Sequence, residues 1–147
     1  IGKAGRHIPA ERALDHVWGY AVGLDMTRRD LQVQARGMGR PWDMGKNVEY
    51  CSPLGLLHDV AQVGHRDAGR IELRVNDEVR QSGDLSRMIW PLRDVIVFLS
   101  RLYRLEPGDL IYTGTPAGVG PVVAGDVMRA EIEGLSPLTI GVTAPAP

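Results

Sequence analysis

Residues 91–104 carry the longest periodic pattern in the chain, and this pattern constrains the fold most. Apolar side chains recur there at spacings of three and four residues, as on one face of a helix: Leu92, Val95, Ile96, Leu99, Leu102 and Tyr103. Pro91 fits the first turn of a helix, where a missing N–H group is tolerated. The pattern predicts a helix over 91–104 whose apolar stripe packs into a core.

Most of the remaining patterns are short and typical of strands. Residues 71–75 alternate apolar and polar side chains, and a turn-like pair at 76–77 connects them to a return strand at 79–81. Further strands are predicted at 110–112, 127–132 and 138–142, and a short helix at 9–17. The sequence therefore indicates a mixed α and β domain, with an Ala-Pro tail that is expected to be loose.

Composition and charge exclude several classes of function. The chain has 147 residues, of which 44% are hydrophobic and 24% charged, as is ordinary for one folded domain. A net charge of −1 offers no electrostatic attraction to nucleic acid or to an anionic membrane, and no apolar segment approaches the ~20 residues that cross a bilayer. We therefore expect neither partner.

Cysteine and histidine usage gives two further expectations. The single cysteine, Cys51, excludes an internal disulfide and fits a reducing cytoplasm. We interpret it as a small buried residue rather than a nucleophile, because no histidine stands near it in the pattern. The four histidines are isolated, and His16 is interpreted as a surface or packing residue rather than a metal ligand.

An apolar segment beginning at Gly19 runs directly into a group of charged residues. Small and larger apolar residues alternate over 19–24, which predicts a short strand that ends at Asp25. Thr27 and Asp30 have the spacing of a helix N-cap and its return contact. A helix is therefore predicted from Thr27 to about residue 36, where glycines at 37 and 39 end it.

Three polar groups would converge where this strand meets this helix. Arg29 and Gln32 lie three residues apart, so they share one helix face on the side of Asp25. A carboxylate, a guanidinium and an amide together suit a hard metal ion that holds an anionic, oxygen-rich substrate. The alternative is an ordinary helix start with solvated or paired charges.

Two loops add further candidates. Lys46 follows a glycine in a predicted loop over 41–46 that lacks the pattern of a phosphate-binding P-loop. Its ammonium is either a solvated surface charge or a group that stabilises an enolate or a carboxylate. In the segment TGTPAGVG, residues 113–120, three glycines allow close approach of backbone N–H groups to an anion, and the Thr115 hydroxyl is an additional donor. A plain glycine-rich turn is the alternative.

Four motifs, in this order, resemble the fumarylacetoacetate hydrolase family: GLDMTRRDLQ, GRPWDMGK, VNDEVRQSGDLSRMIW and LEPGDLIYTGTPAGVGP. They extend over nearly the whole chain. The resemblance implies an α+β fold that is mainly β, the mixed β-sandwich roll of that family. It further implies that residues 1–147 form one catalytic domain, the C-terminal portion of a homodimeric protein.

The resemblance also implies roles for individual residues. Asp25 resembles an acidic ligand of Mg²⁺ or Mn²⁺, with Ca²⁺ as a possible substitute. Arg29 and Gln32 resemble the substrate-binding pair, Lys46 the active-site lysine and Thr115 the threonine that binds the substrate carboxylate. The family's other metal ligands, a Glu-x-Glu pair, and its lid with a His and a Glu precede the segment that matches IGKAGR, so this chain is expected to lack them.

The implied activity is metal-dependent hydrolysis of a C–C bond in a small 2-oxo acid. An acylpyruvate such as fumarylpyruvate, from the catabolism of aromatic compounds, is the first expectation. An oxaloacetate decarboxylase or isomerase of the same family is the alternative, and a non-catalytic relative is a second one.

Overall fold

The computed structural model describes residues 1–144, so the end of the Ala-Pro tail, at 145–147, lies outside the described residues. Ten regular elements follow one another, in addition to 3₁₀ turns at Ala10–His16 and Leu85–Arg87. The strands are β1 (Gly19–Tyr20), β2 (His58–Asp59), β3 (Arg70–Val75), β4 (Glu78–Asp84), β5 (Val127–Ile132) and β6 (Leu138–Gly141). The helices are α1 (Arg29–Gly37), α2 (Asp43–Lys46), α3 (Val60–Val63) and α4 (Leu92–Leu102).

An antiparallel sheet in the order β4-β3-β5-β6 forms the centre of the molecule, and β1 pairs with β2 separately. The predicted strands at 71–75, 79–81, 127–132 and 138–142 are thereby confirmed. Asn76 and Asp77 form the turn between β3 and β4 with φ values of 50° and 67°, which match the right-handed twist of a hairpin. The inward face of the sheet buries an apolar cluster: Val22, Leu24, Val75, Met128, Ala130 and Leu138.

A second apolar cluster joins α4 to the 3₁₀ turn Ala10–His16 and contains Ile8, Ala13, Ile96 and Leu105. The helix predicted at 91–104 is confirmed, although Leu102 and Tyr103, at the end of its stripe, are exposed. The helix predicted at 9–17 is a 3₁₀ turn. His16 is a packing residue: it is buried, and its Nδ1 lies 2.8 Å from the carbonyl oxygen of Lys3.

The strand predicted over 19–24 is shorter than expected, because only Gly19 and Tyr20 form a ladder. The chain beyond them stays extended and bonds to a neighbouring loop. The backbone N–H groups of Leu24 and Met26 donate to the carbonyl oxygens of Pro53 (3.0 Å) and Cys51 (2.7 Å). Val22 and Leu24 are buried, as the alternation predicted. The pattern therefore predicted burial correctly but overestimated the length of the strand.

The buried strand predicted at 110–112 is wrong. The segment belongs to no strand, and Leu110 is 56% exposed. The ladder positions on both sides of β3 are taken by β4 and β5, and Tyr112 instead donates a hydrogen bond from its hydroxyl to the carbonyl oxygen of Ser52 (3.0 Å). A short apolar triplet does not distinguish a strand from an extended loop.

Across residues 1–144, none of the helices has the length and apolar character needed to cross a membrane.

Candidate active site

An open cleft of about 720 Å³ lies between the segment 22–32, the inward face of β3–β5 and the loop 113–120. All five residues singled out from the sequence line it, namely Asp25, Arg29, Gln32, Lys46 and Thr115. Three separate segments of the chain therefore meet at this cleft: residues 22–32, the segment 41–46 and the loop 113–120.

Lys46 belongs to the charged wall of this cleft, which is formed by Asp25, Arg29, Gln32 and Lys46. Its Nζ donates to Asp25 Oδ1 at 2.6 Å and to Thr27 Oγ1 at 3.0 Å. The loop predicted over 41–46 is wrong for its last four residues, because Asp43–Lys46 forms the single helical turn α2. Lys46 is therefore presented by a folded turn rather than by a free loop.

Helix α1 begins later than the capping pattern predicted. Its first residue is Arg29, its N-cap is Arg28, and no side chain caps it. The Thr27 hydroxyl accepts a hydrogen bond from Lys46 instead, and the Asp30 carboxylate pairs with Arg28 at 3.1 Å. The hydrogen bond from Arg28 holds the pKa of Asp30 below its usual value. The helix ends at Gly37, as predicted.

Arg29 and Gln32 share one face of α1, as the spacing predicted, and the Arg29 guanidinium donates to Gln32 Oε1. The Gln32 amide is thereby oriented, because its oxygen is turned toward the guanidinium and its NH₂ group is turned away. A planar guanidinium with an adjacent amide donor suits the recognition of a carboxylate or a keto acid.

Gly45 allows α2 to pack closely against α1. The backbone N–H of Arg28 donates to the carbonyl oxygen of Gly45 (2.9 Å). A Cβ at position 45 would lie 3.0 Å from the Cβ of Gln32, closer than the two helices allow without shifting. The absence of a side chain at this position lets Lys46 reach Asp25 in the segment before α1.

The loop 113–120 is held to β4 by one buried side chain and one glycine. Gln81, which is only 7% exposed, donates from Nε2 to Thr115 Oγ1 (2.8 Å) and to the carbonyl oxygen of Pro116 (2.6 Å). A Cβ on Gly118 would collide with the carbonyl oxygen of Arg80. The loop is therefore in direct contact with the strand beneath it.

Sequence reasoning treated Gln81 only as part of a return strand. One signal could have indicated more: Gln81 is an amide on the return strand of a hairpin whose first strand, at 71–75, has an apolar side chain at every second position. A buried amide needs hydrogen-bond partners, and its partners here come from the loop 113–120.

We expect Gly118→Ala to destabilise the protein more than Gly114→Ala. Both glycines have φ near +100° (104° and 105°), so both substitutions carry the same backbone strain of about 1–3 kcal/mol. Only at Gly118 would the new methyl group also meet the strand, since nothing lies within 4 Å of a Cβ at Gly114. Urea unfolding of both variants measures the difference, and equal losses would show that the loop does not rest on β4.

Tyr112 and Cys51 lie beside the charged wall. Burial, and then the negative charge of Asp25, raise the pKa of the Tyr112 phenol. Cys51 is a free thiol of intermediate burial, less enclosed than predicted. A hydrogen bond with the Ser52 hydroxyl lowers the pKa of that thiol.

A complete metal site does not form within residues 1–144, since no group of three or more His, Cys, Asp or Glu side chains converges there. Asp25 supplies one carboxylate in the cleft, and Mg²⁺ or Ca²⁺ needs about six oxygen ligands. The residues present therefore fit only one part of a divalent metal site, with Asp25 as a single ligand.

Comparison with known proteins decides the family. Residues 1–143 match the family described as Fumarylacetoacetate (FAA) hydrolase C-terminal. The chain belongs to the fumarylacetoacetate hydrolase family. This confirms both the resemblance read from the four motifs and the α+β fold, mainly β, that it implied.

Several members of the family are similar over almost the whole chain. A fumarylpyruvate hydrolase of a Ralstonia species is 46% identical over 145 residues, which are 97% of this chain and 73% of that protein. A mitochondrial oxaloacetate tautomerase of Mus musculus is 41% identical and matches 92% of this chain and 61% of its own length. The crystal structure of fumarylpyruvate hydrolase from Pseudomonas aeruginosa in complex with Mn²⁺ and pyruvate has a TM-score of 0.97 and 50% identity, over 99% of this chain and 62% of that one.

Proposed function

We propose that the chain carries part of the active site of a divalent-metal-dependent hydrolase that cleaves a C–C bond of an acylpyruvate, with fumarylpyruvate as the preferred substrate. The observation that carries the proposal is the convergence of Asp25, Arg29, Gln32, Lys46 and Thr115 on one cleft. The similarity to two fumarylpyruvate hydrolases, one of them a complex with Mn²⁺ and pyruvate, supports it. The chain spans 62–73% of those relatives, so the activity belongs to the full-length protein.

The substrate-binding groups match the chemistry of a 2-oxo acid. The Arg29 guanidinium offers a planar pair of donors for a carboxylate, and Gln32 beside it offers an amide donor for a keto or carboxylate oxygen. Thr115 lines the same cleft from the loop 113–120, a separate segment of the chain. Binding by two segments fixes the orientation of the reacting bond, which is the first requirement of the reaction.

Hydrolysis of an acylpyruvate leaves the electrons of the broken C–C bond on a pyruvate enolate. The oxygen of water ends on the acyl carbon as a carboxylic acid, and a proton must reach C3 of the enolate to give pyruvate. A divalent metal, when bound with Asp25 among its ligands, supplies Lewis-acid stabilisation of the enolate oxygen. Lys46 places a second positive charge in the same cleft, where its Nζ is already held by Asp25 and Thr27.

Oxaloacetate chemistry is the second candidate, favoured by the 41% identity to an oxaloacetate tautomerase. Enolisation and decarboxylation of oxaloacetate both pass through an enolate, so the same lysine and carboxylate-binding groups would serve them. The two candidate activities differ in one step, because only hydrolysis of an acylpyruvate requires water to attack the second carbonyl group of the substrate. We further propose a cytoplasmic homodimer, as the family resemblance and the single cysteine suggest.

We expect the purified full-length protein, loaded with Mg²⁺ or Mn²⁺, to hydrolyse fumarylpyruvate. The loss of the diketo acid's absorbance follows the reaction, and pyruvate is measured as the product. EDTA should abolish turnover, and added metal should restore it. Parallel assays with acetylpyruvate and oxaloacetate rank the two candidates. A metal-loaded protein that is inert on all three substrates would contradict the proposal and support a non-catalytic relative.

A further inference from the structure

Gln81 is a buried polar side chain that the mechanism above does not use, although it lies in the wall of the cleft. It occupies an inward position of β4 opposite Leu73 of β3, on the apolar side of the sheet, and is 7% exposed. Its amide nitrogen donates two hydrogen bonds to consecutive residues of the loop 113–120, namely Thr115 and Pro116.

The partners of Gln81 fix the direction of its amide. The carbonyl oxygen of Pro116, at 2.6 Å, can only accept, so the group that faces it must be the NH₂ group. The same nitrogen has a second hydrogen, which points to Thr115 Oγ1 at 2.8 Å. Thr115 therefore accepts from Gln81, and its own hydroxyl hydrogen must be donated to a different acceptor.

The backbone around Gln81 holds this arrangement in place. The register between β3 and β4 shifts after Leu73, so that Gln81 opposes Leu73 and Val79 opposes Arg74. Arg80 is thus the extra residue of a bulge. Its carbonyl oxygen lies so close to Gly118 that a Cβ on that glycine would collide with it. Bulges re-aim the chain beside active sites. Here the bulge and the close approach of Gly118 set the loop at hydrogen-bonding distance from Gln81.

We propose that Gln81 is a positioning residue that makes the Thr115 hydroxyl a hydrogen-bond donor to the substrate carboxylate. This inference rests on the proposed function, in which Thr115 binds that carboxylate. A hydroxyl that is free to rotate points its hydrogen to the cleft for only part of the time. With its acceptor side occupied by Gln81, the Thr115 hydroxyl is oriented before the substrate arrives, and less of the binding free energy is lost in ordering it.

Two substitutions of Gln81 separate this role from simple packing. Gln81→Met fills nearly the same space without donors, so the Thr115 hydroxyl is released. Gln81→Glu is closer in shape to glutamine but offers Thr115 an oxygen in either protonation state, because a protonated carboxyl group at this position would turn its one O–H toward Pro116. The Thr115 hydrogen is then drawn away from the cleft. We therefore expect Gln81→Glu to impair binding more than Gln81→Met, although a packing role predicts the opposite order.

The experiment measures pyruvate binding to the full-length protein in saturating Mn²⁺ by isothermal titration calorimetry. We expect the Kd for pyruvate to rise a few-fold in Gln81→Met, where only the orientation of the Thr115 hydroxyl is lost. In Gln81→Glu we expect a rise of about tenfold or more, the size of one hydrogen bond to a charged group. In turnover assays KM should rise while kcat changes less, because a carboxylate contact is made in the ground state as well. Gln34→Met, at an exposed position of α1, is the matched control and should bind pyruvate normally.

A double-mutant cycle with Thr115→Val decides whether Gln81 acts through Thr115. We expect Gln81→Met to add no further loss once Thr115 is valine, and multiplicative losses would overturn the inference. If Thr115→Val weakens binding but both Gln81 variants bind like wild type, the inference fails and the proposed function stands. If Thr115→Val binds pyruvate normally, or wild type binds none, the assigned role of Thr115 fails and the inference fails with it.

Discussion

Lys46→Met should lower kcat about 10²–10³-fold in the full-length protein. Methionine keeps most of the apolar stem but removes the charge that we propose stabilises the developing enolate, and losing one preorganised electrostatic contact has a cost of this size. Steady-state assays with the diketo acid measure it. Lys3→Met is the matched control, because the chain has only two lysines and Lys3 is exposed outside the cleft.

The fold should survive this substitution. The Lys46 and Asp25 side chains are 32% and 51% exposed, and partly exposed ion pairs contribute about 0–1 kcal/mol to stability. Thermal unfolding should therefore shift little. If kcat falls by less than threefold while the protein remains folded, Lys46 is a surface lysine whose contact with Asp25 has no catalytic role.

Asp25→Asn should weaken Mn²⁺ binding to the full-length protein by about 100-fold or more. Substituting a residue that only supports a metal ligand costs about 10–100-fold in metal affinity. Here the negative charge of a proposed direct ligand would be lost. Titration calorimetry with MnCl₂ measures the affinity. Asp43→Asn is the control, since Asp43 is an exposed acid of the neighbouring turn α2 and is not part of the cleft wall. Unchanged affinity in Asp25→Asn would remove Asp25 from the metal site.

The parts of the fold that the sequence predicted correctly are those set by local periodicity. The alternation at 71–75 and the helical spacing at 92–99 each report which face of an element is buried, and burial follows hydrophobicity. The prediction at 110–112 failed because pairing depends on tertiary contacts that a three-residue apolar run does not encode, and Tyr112 in this segment bonds to the carbonyl oxygen of Ser52 instead.

The sequence also located the candidate site, though not its internal contacts. The Thr27 hydroxyl fits a helix cap locally, but it bonds to Lys46, 19 residues away. Likewise, α2 forms from a glycine-containing segment because Gly45 packs against α1, a tertiary contact that overrides low helix propensity. Gln81 was missed since its partners lie 34 and 35 residues away. Contacts between side chains so far apart in the sequence produce no periodic pattern in it.

The two walls of the cleft differ in how they are connected along the chain. Asp25, Arg29, Gln32 and Lys46 come from one stretch of 22 residues that is tied together internally, as the 2.6 Å contact between Lys46 and Asp25 shows. Thr115 belongs to a loop that rests on β4 through Gln81 and Gly118. The loop 113–120 is thus anchored to the sheet through contacts that do not involve the charged wall. Grafting it between relatives, together with its seat on β4, is a route to new substrate preferences that leaves the charged machinery untouched.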